Sequence, residues 1–91
     1  MKILQTHSFK SAFKKLHLKQ KKAVEFAIKT IISEPNLGVQ KKGDLREVYV
    51  YKFKFDNAQQ LLAYSLDEDM ETITLLQLGS HENFYRDLKK S

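Results

Sequence analysis

The chain has no cysteine, and with that absence go disulfides, cysteine-based zinc sites and a thiol nucleophile. It also fits a reducing compartment, so a cytoplasmic protein is expected. No apolar run approaches the roughly 20 residues a membrane span needs, so no membrane association is expected. The opening Met1-Lys2-Ile3-Leu4-Gln5 passes straight into polar residues, without the apolar stretch of a secretory leader. There is no Gly-rich phosphate loop, no Walker motif and no HExxH. The cluster Asp67-Glu68-Asp69 with Glu71 lacks the glycine and closing glutamate of a calcium loop, and reads as a solvated turn. His7, His17 and His81 follow no metal-ligand rhythm, so no cofactor is expected. His7 and His17 flank the first expected helix and read as surface or capping residues.

What is present is small and basic. No repeat, low-complexity tract or linker divides the 91 residues, so 1–91 reads as one domain. A chain of this size buries only about 60–65% of its unfolded surface, leaving one thin core and room for a shallow groove rather than a deep pocket. The charge of +5 is unevenly placed. Residues 1–42 hold ten lysines against Glu25 and Glu34, a balance of +8, and residues 43–91 carry −3. Such clustering fits a polyanion or an acidic protein partner, and equally a set of solvated helix faces.

The hydrophobic pattern changes period along the chain. With Ser8 as N-cap, Phe9, Ala12, Phe13 and Leu16 form one helical stripe. After a break at His17-Leu18-Lys19, a second helix has Ala23, Val24, Ala27, Ile28 and Ile31 as its apolar face. Pro35 stops it. From Arg46 to Phe55 the residues alternate in twos: Tyr49, Tyr51, Phe53 and Phe55 on one face, and Arg46, Val48, Val50, Lys52 and Lys54 on the other. The aromatic face should pack on the helices and the basic face look outward. Asp56-Asn57 turns into a strand of about 59–66, and Asp67-Glu68-Asp69 turns into another of about 71–78, broken by Gly79-Ser80. A brief strand near Lys2–Gln5 would add an edge. The expected architecture is α+β: an N-terminal helical hairpin packed on an antiparallel meander of three to four strands, with a short C-terminal helix within 81–90.

Two groups of residues carry chemistry. Lys52 and Lys54, at i and i+2 on a strand, point the same way and stand roughly 6.5–7 Å apart, near the spacing of successive phosphates. With Arg46 they would hold a nucleic-acid backbone and stabilise charge developing on a phosphate. The same lysines would also serve simply to protect an exposed strand. In a helical tail, His81 and Tyr85 share a face, placing a proton-transfer group beside a ring that stacks on a base or transfers protons, and Arg86 would pair with a phosphate. Alternatively Phe84 and Leu88 are the buried stripe of a docking helix, with His81 and Tyr85 at its rim.

Taken in order, Tyr51-Lys52-Phe53-Lys54-Phe55, then Leu61-Leu62-Ala63-Tyr64, then Leu78-Gly79-Ser80-His81-Glu82-Asn83-Phe84-Tyr85, the chain resembles the RelE/ParE superfamily of bacterial toxins over nearly its whole length. For RelE-type members the resemblance implies ribosome-dependent cleavage of mRNA. The 2′-hydroxyl attacks the adjacent phosphate and translation stops. By position it implies that Lys52 and Lys54 bind or polarise the phosphate. It sets His81 where RelE has an arginine and the YafQ branch a catalytic histidine, and Tyr85 near the family's aromatic residue. Arg46, Arg86 and Lys42 would contact RNA. RelE carries an arginine where this chain has Leu61, so one phosphate clamp is missing. ParE-type relatives keep the fold without the nuclease residues and poison DNA gyrase, which stands as the alternative. Implied partners are a cognate antitoxin with an acidic or amphipathic segment, the ribosome with its mRNA, and operator DNA reached only through the antitoxin complex.

Overall fold

The computed structural model describes residues 2–40 and 48–80. Strand β1 (Lys2–Gln5) leads into helices α1 (His7–Lys14) and α2 (Leu18–Ser33). There follow β2 (Val39–Gln40), β3 (Val48–Phe55), β4 (Ala58–Asp67) and β5 (Thr72–Ser80). The five described strands form one sheet in the order β1-β5-β4-β3-β2, with β1 parallel to β5 and the other neighbours antiparallel.

Local chemistry sets the element ends. Thr6, not Ser8, caps α1: its Oγ1 accepts from the Phe9 N–H at 3.1 Å. The same hydroxyl donates to the Leu76 carbonyl at 2.8 Å. Leu76 is the extra residue of a bulge, since Ala63 pairs with Gln77 and Tyr64 with Leu75. One threonine therefore caps a helix and occupies a carbonyl at the bulge. At the start of α2, the Gln20 Oε1 accepts from the His17 N–H, an exposed capping contact that fits the capping role expected of His17. Asp56 and Asn57 both have positive φ (52° and 65°), the backbone of a tight hairpin turn that aspartate and asparagine tolerate.

The helices cover one face of the sheet. Phe9 from α1 and Val24, Ala27 and Ile31 from α2 are buried against Leu62, Tyr64, Ile73, Leu75 and Leu78. Tyr49, Tyr51 and Phe53 pack around them, so the aromatic face of β3 does meet the helices. Each of these side chains follows its element's period: i, i+3, i+7 in α2 and alternate residues in β3.

Three expectations need correction. The sheet has five strands and is mixed, because β1 joins as a parallel edge and the two-residue β2 extends the other side. The helices do not form a hairpin that packs as a unit. α1 lies along β5 and α2 along β3, each spending its apolar stripe on the sheet. Gly79-Ser80 does not break the last strand, since Gly79 pairs with Leu61 and Ser80 with Gln60. Pairing with β4 holds both residues in the ladder, and this long-range contact overrides the local preference of Gly-Ser for a turn. The expected C-terminal helix lies outside the described residues.

Candidate phosphate-binding face

The second face of the sheet, away from the helices, carries Lys52 and Lys54, both exposed. Strand alternation puts them there, since their neighbours Tyr51, Phe53 and Phe55 point to the helix side. Register defines their surroundings. Lys52 stands opposite Leu61, and Leu61 opposite Gly79, so the three form one row across β3, β4 and β5. Lys54 stands opposite Gln59, which is also exposed. At about 4.8 Å per strand, Gly79 lies roughly 10 Å from Lys52 across the row.

The floor beside these lysines is apolar. Val50, Leu61 and Ala63 form a second buried cluster, flanked by the partly buried Val48 and Leu76. Leu61, where the family resemblance calls for an arginine, is 0% exposed. The row that starts with a cation at Lys52 thus continues with a buried aliphatic side chain. On the same face, the Gln77 Oε1 is buried without a hydrogen-bond partner. The sequence gives no sign of that orphan, because it depends on the one-residue bulge at Leu76.

Of the residues picked from sequence, the structure brings together Lys52 and Lys54. Lys42, Arg46, His81, Tyr85 and Arg86 lie outside the described residues. The chain passes from β5 to His81 at Ser80, whose partner Gln60 neighbours Leu61 on the row of Lys52. Among the described residues no group of three His, Cys, Asp or Glu side chains is placed to hold a metal. No described helix is long and apolar enough to cross a membrane.

The opposite end of the sheet has another character. An open depression of about 860 Å³ is lined by Asp67, Glu68 and Asp69 with Ser65, Thr72 and Tyr49. The turn there is built by the Asp67 Oδ1, which accepts from the Met70 N–H, and by Glu71 at positive φ. The acidic stretch is a hairpin turn, as expected. Between helices and sheet, Leu16, Gln20, Val24, Phe53 and Leu78 enclose a free volume of only about 10 Å³, the threshold for a single water.

Tyr64 is the polar residue that sequence reading missed as a structural device. Fully buried and stacked on Tyr49, it donates its hydroxyl to the Pro35 carbonyl at 2.7 Å and accepts from the Gly38 N–H at 3.0 Å. It fixes the loop that carries the chain from α2 to β2. Burial pushes its pKa above the ordinary 10.0, the Gly38 N–H pulls it back somewhat, and Tyr49 adds to the rise. A side chain at Gly38 would meet the Tyr64 hydroxyl at 2.9 Å, which explains glycine there.

Solved structures share this fold. A mutant of Escherichia coli RelE toxin in the free state matches with a TM-score of 0.76 at 11% identity, over 98% of this chain and 90% of that one. A RelBE toxin–antitoxin complex from Mycobacterium tuberculosis matches at 0.74 and 21% identity, over 88% and 96%. The intact E. coli RelBE complex matches at 0.72 and 14%, over 89% and 96%. At these identities the likeness is one of fold. No curated protein sequence matches. The model of the ParE-like toxins of type II bacterial toxin–antitoxin systems matches residues 3–89, nearly the entire sequence. With the RelE-like fold above, that match makes the chain a member of the ParE-like toxin family, within the RelE/ParE superfamily.

Proposed function

We propose that this toxin is a ribosome-dependent endoribonuclease that cleaves mRNA. The observation that carries the reading is the exposed Lys52–Lys54 pair on the face turned away from α1 and α2, at the end of the sheet where β5 hands the chain on to His81. In the proposed step the RNA 2′-oxygen attacks the adjacent phosphorus and loses its proton. The bond to the 5′-oxygen breaks, that oxygen takes up a proton, and a 2′,3′-cyclic phosphate remains. Lys52 and Lys54 hold the phosphate and offset the charge that grows on its free oxygens. His81 and Tyr85 move the two protons. Arg46, Arg86 and Lys42 contact the flanking backbone. Type II toxins work against an antitoxin, and two of the solved relatives are toxin–antitoxin complexes, which supports a cognate antitoxin as resident partner.

One observation favours a second reading, a toxin that binds DNA gyrase without cutting RNA: the buried Leu61 leaves the Lys52 row without a second cation. Primer extension on mRNA from a translation extract separates the two. The nuclease reading expects new 5′ ends with the wild type, and a loss of roughly 10²–10⁴ in rate for His81→Ala if the imidazole transfers a proton. Intact message, together with inhibited supercoiling by purified gyrase, would establish the gyrase reading instead.

A further inference from the structure

The bulge in β5 decides which residues of that strand reach the lysine face. Ile73 and Leu75 point into the core beneath the helices, and strict alternation would send Gln77 and Gly79 after them. The extra residue, Leu76, shifts the phase by one. Leu78 is therefore the next side chain in that core, while Leu76 packs with Val50, Leu61 and Ala63 on the lysine face. Gln77 stands opposite Ala63, and Gly79 stands opposite Leu61 in the row of Lys52. Ser80, where β5 ends, lies four residues beyond the bulge, roughly 13 Å along the strand.

One residue, distant in sequence, grips this bulge twice. The Thr6 Oγ1 donates to the Leu76 carbonyl at 2.8 Å, and the Thr6 N–H donates to the Leu75 carbonyl at 3.0 Å. A bulged residue lacks a partner in the ladder, and the hydroxyl supplies one. Capping α1 asks only that Oγ1 accept from the Phe9 N–H, so the donated bond is a separate role of the same atom. We propose that Thr6 is a positioning residue for the cleavage described above. Through the Leu76 carbonyl it fixes the phase in which β5 brings its end, and the chain leading on to His81, to the row of Lys52. The inference rests on the nuclease reading. Lys52 and Lys54 are on β3, with β4 between them and β5, so a change at Thr6 leaves their hold on the phosphate intact and slows the bond-breaking step.

The test is single-turnover cleavage of message on ribosomes by the full chain, with amide hydrogen exchange measured beside it. Thr6→Ser retains both hydroxyl bonds. Thr6→Asp keeps an acceptor for the cap but, ionised, has no proton to donate, and Thr6→Ala loses both. Ala12→Gly weakens α1 without touching Leu76 and controls for stability. Thr6→Asp and Thr6→Ala should lower the saturating rate about tenfold or more, with the half-saturating ribosome concentration unchanged. Thr6→Ser and Ala12→Gly should stay within about twofold of the wild type. Exchange at the Gln77 and Gly79 amides should quicken in Thr6→Asp and Thr6→Ala alone. Wild-type cleavage by Thr6→Asp would make the threonine a cap and nothing more, overturning the proposal. Equal losses in Thr6→Ala and Ala12→Gly would trace the effect to the stability of α1 and overturn it as well. Message left intact by the wild type is a distinct outcome: it sinks the nuclease reading itself, and the role of Thr6 with it.

Discussion

The two faces of the sheet differ in what their side chains can be asked to do. On the helix side, Ile31, Leu62, Tyr64, Ile73 and Leu75 are closed off from water by α1 and α2. On the other side, exposed lysines stand beside the buried Val50, Leu61 and Ala63. Strand alternation sends successive residues of β3 and β4 to opposite faces, so of Phe53 and Lys54, adjacent in sequence, one packs against the core and the other is exposed.

The sharpest way to break that comparison is to cut into each face. Ile31→Ala, in the centre of the helix-side core at 0% exposure, should cost about 3–5 kcal/mol in chemical denaturation, enough to unfold much of a domain of this size. Leu61→Ala should cost less, about 2–3 kcal/mol, because it belongs to the smaller cluster on the lysine face. A change below about 0.5 kcal/mol at Leu61 would mean that its side chain contributes nothing to folding, and that the second face is purely a functional surface.

Much of this division was legible in the sequence. The two-residue alternation of β3 assigns Tyr49, Tyr51 and Phe53 to the core and Lys52 and Lys54 to the surface without any structure, because strand geometry allows no other arrangement. The Asp56-Asn57 turn and the stop at Pro35 were equally plain, since each rests on the backbone preferences of one or two residues. Long-range pairing was not readable. Nothing local in Lys2–Gln5 says that it runs parallel to β5, and nothing in Val39–Gln40 marks two residues as a strand. Of the candidate site, only the exposure of Lys52 and Lys54 on one face was legible. The burial of Leu61 and the orphaned Gln77 Oε1 arise from register and a bulge, which are properties of strand pairs.

Tyr64 sharpens the comparison by placing a polar group inside the helix-side core. Tyr64→Phe removes both hydroxyl contacts and leaves the Pro35 carbonyl and Gly38 N–H without their partner, at a cost of about 1–3 kcal/mol. Its titration gives a second readout. The folded-state pKa is raised above that of the unfolded chain, so the hydroxyl's contribution is complete below about pH 10 and is lost as pH climbs through the folded value. The thermal midpoint of the wild type should therefore fall more steeply above pH 10 than that of Tyr64→Phe. Parallel curves would show that this phenol is not the group whose ionisation opens the core. Smaller again, Thr6→Ala should cost about 1 kcal/mol through the lost cap.

The smallest expected change in stability belongs to the residues with the largest proposed role. Lys52→Ala with Lys54→Ala removes two exposed ammonium groups that take no part in either buried cluster, so the denaturation midpoint should move by no more than about 0.5 kcal/mol. Message cleavage in a translation extract should nevertheless drop steeply, because the charge that accumulates on the phosphate in the transition state loses its nearest counter-charges. A stable double variant that still cleaves at the wild-type rate would dissociate the basic face from catalysis. A variant that neither cleaves nor folds would show that the lysine stems cover Val50 and Leu61, making the second face a packing surface after all.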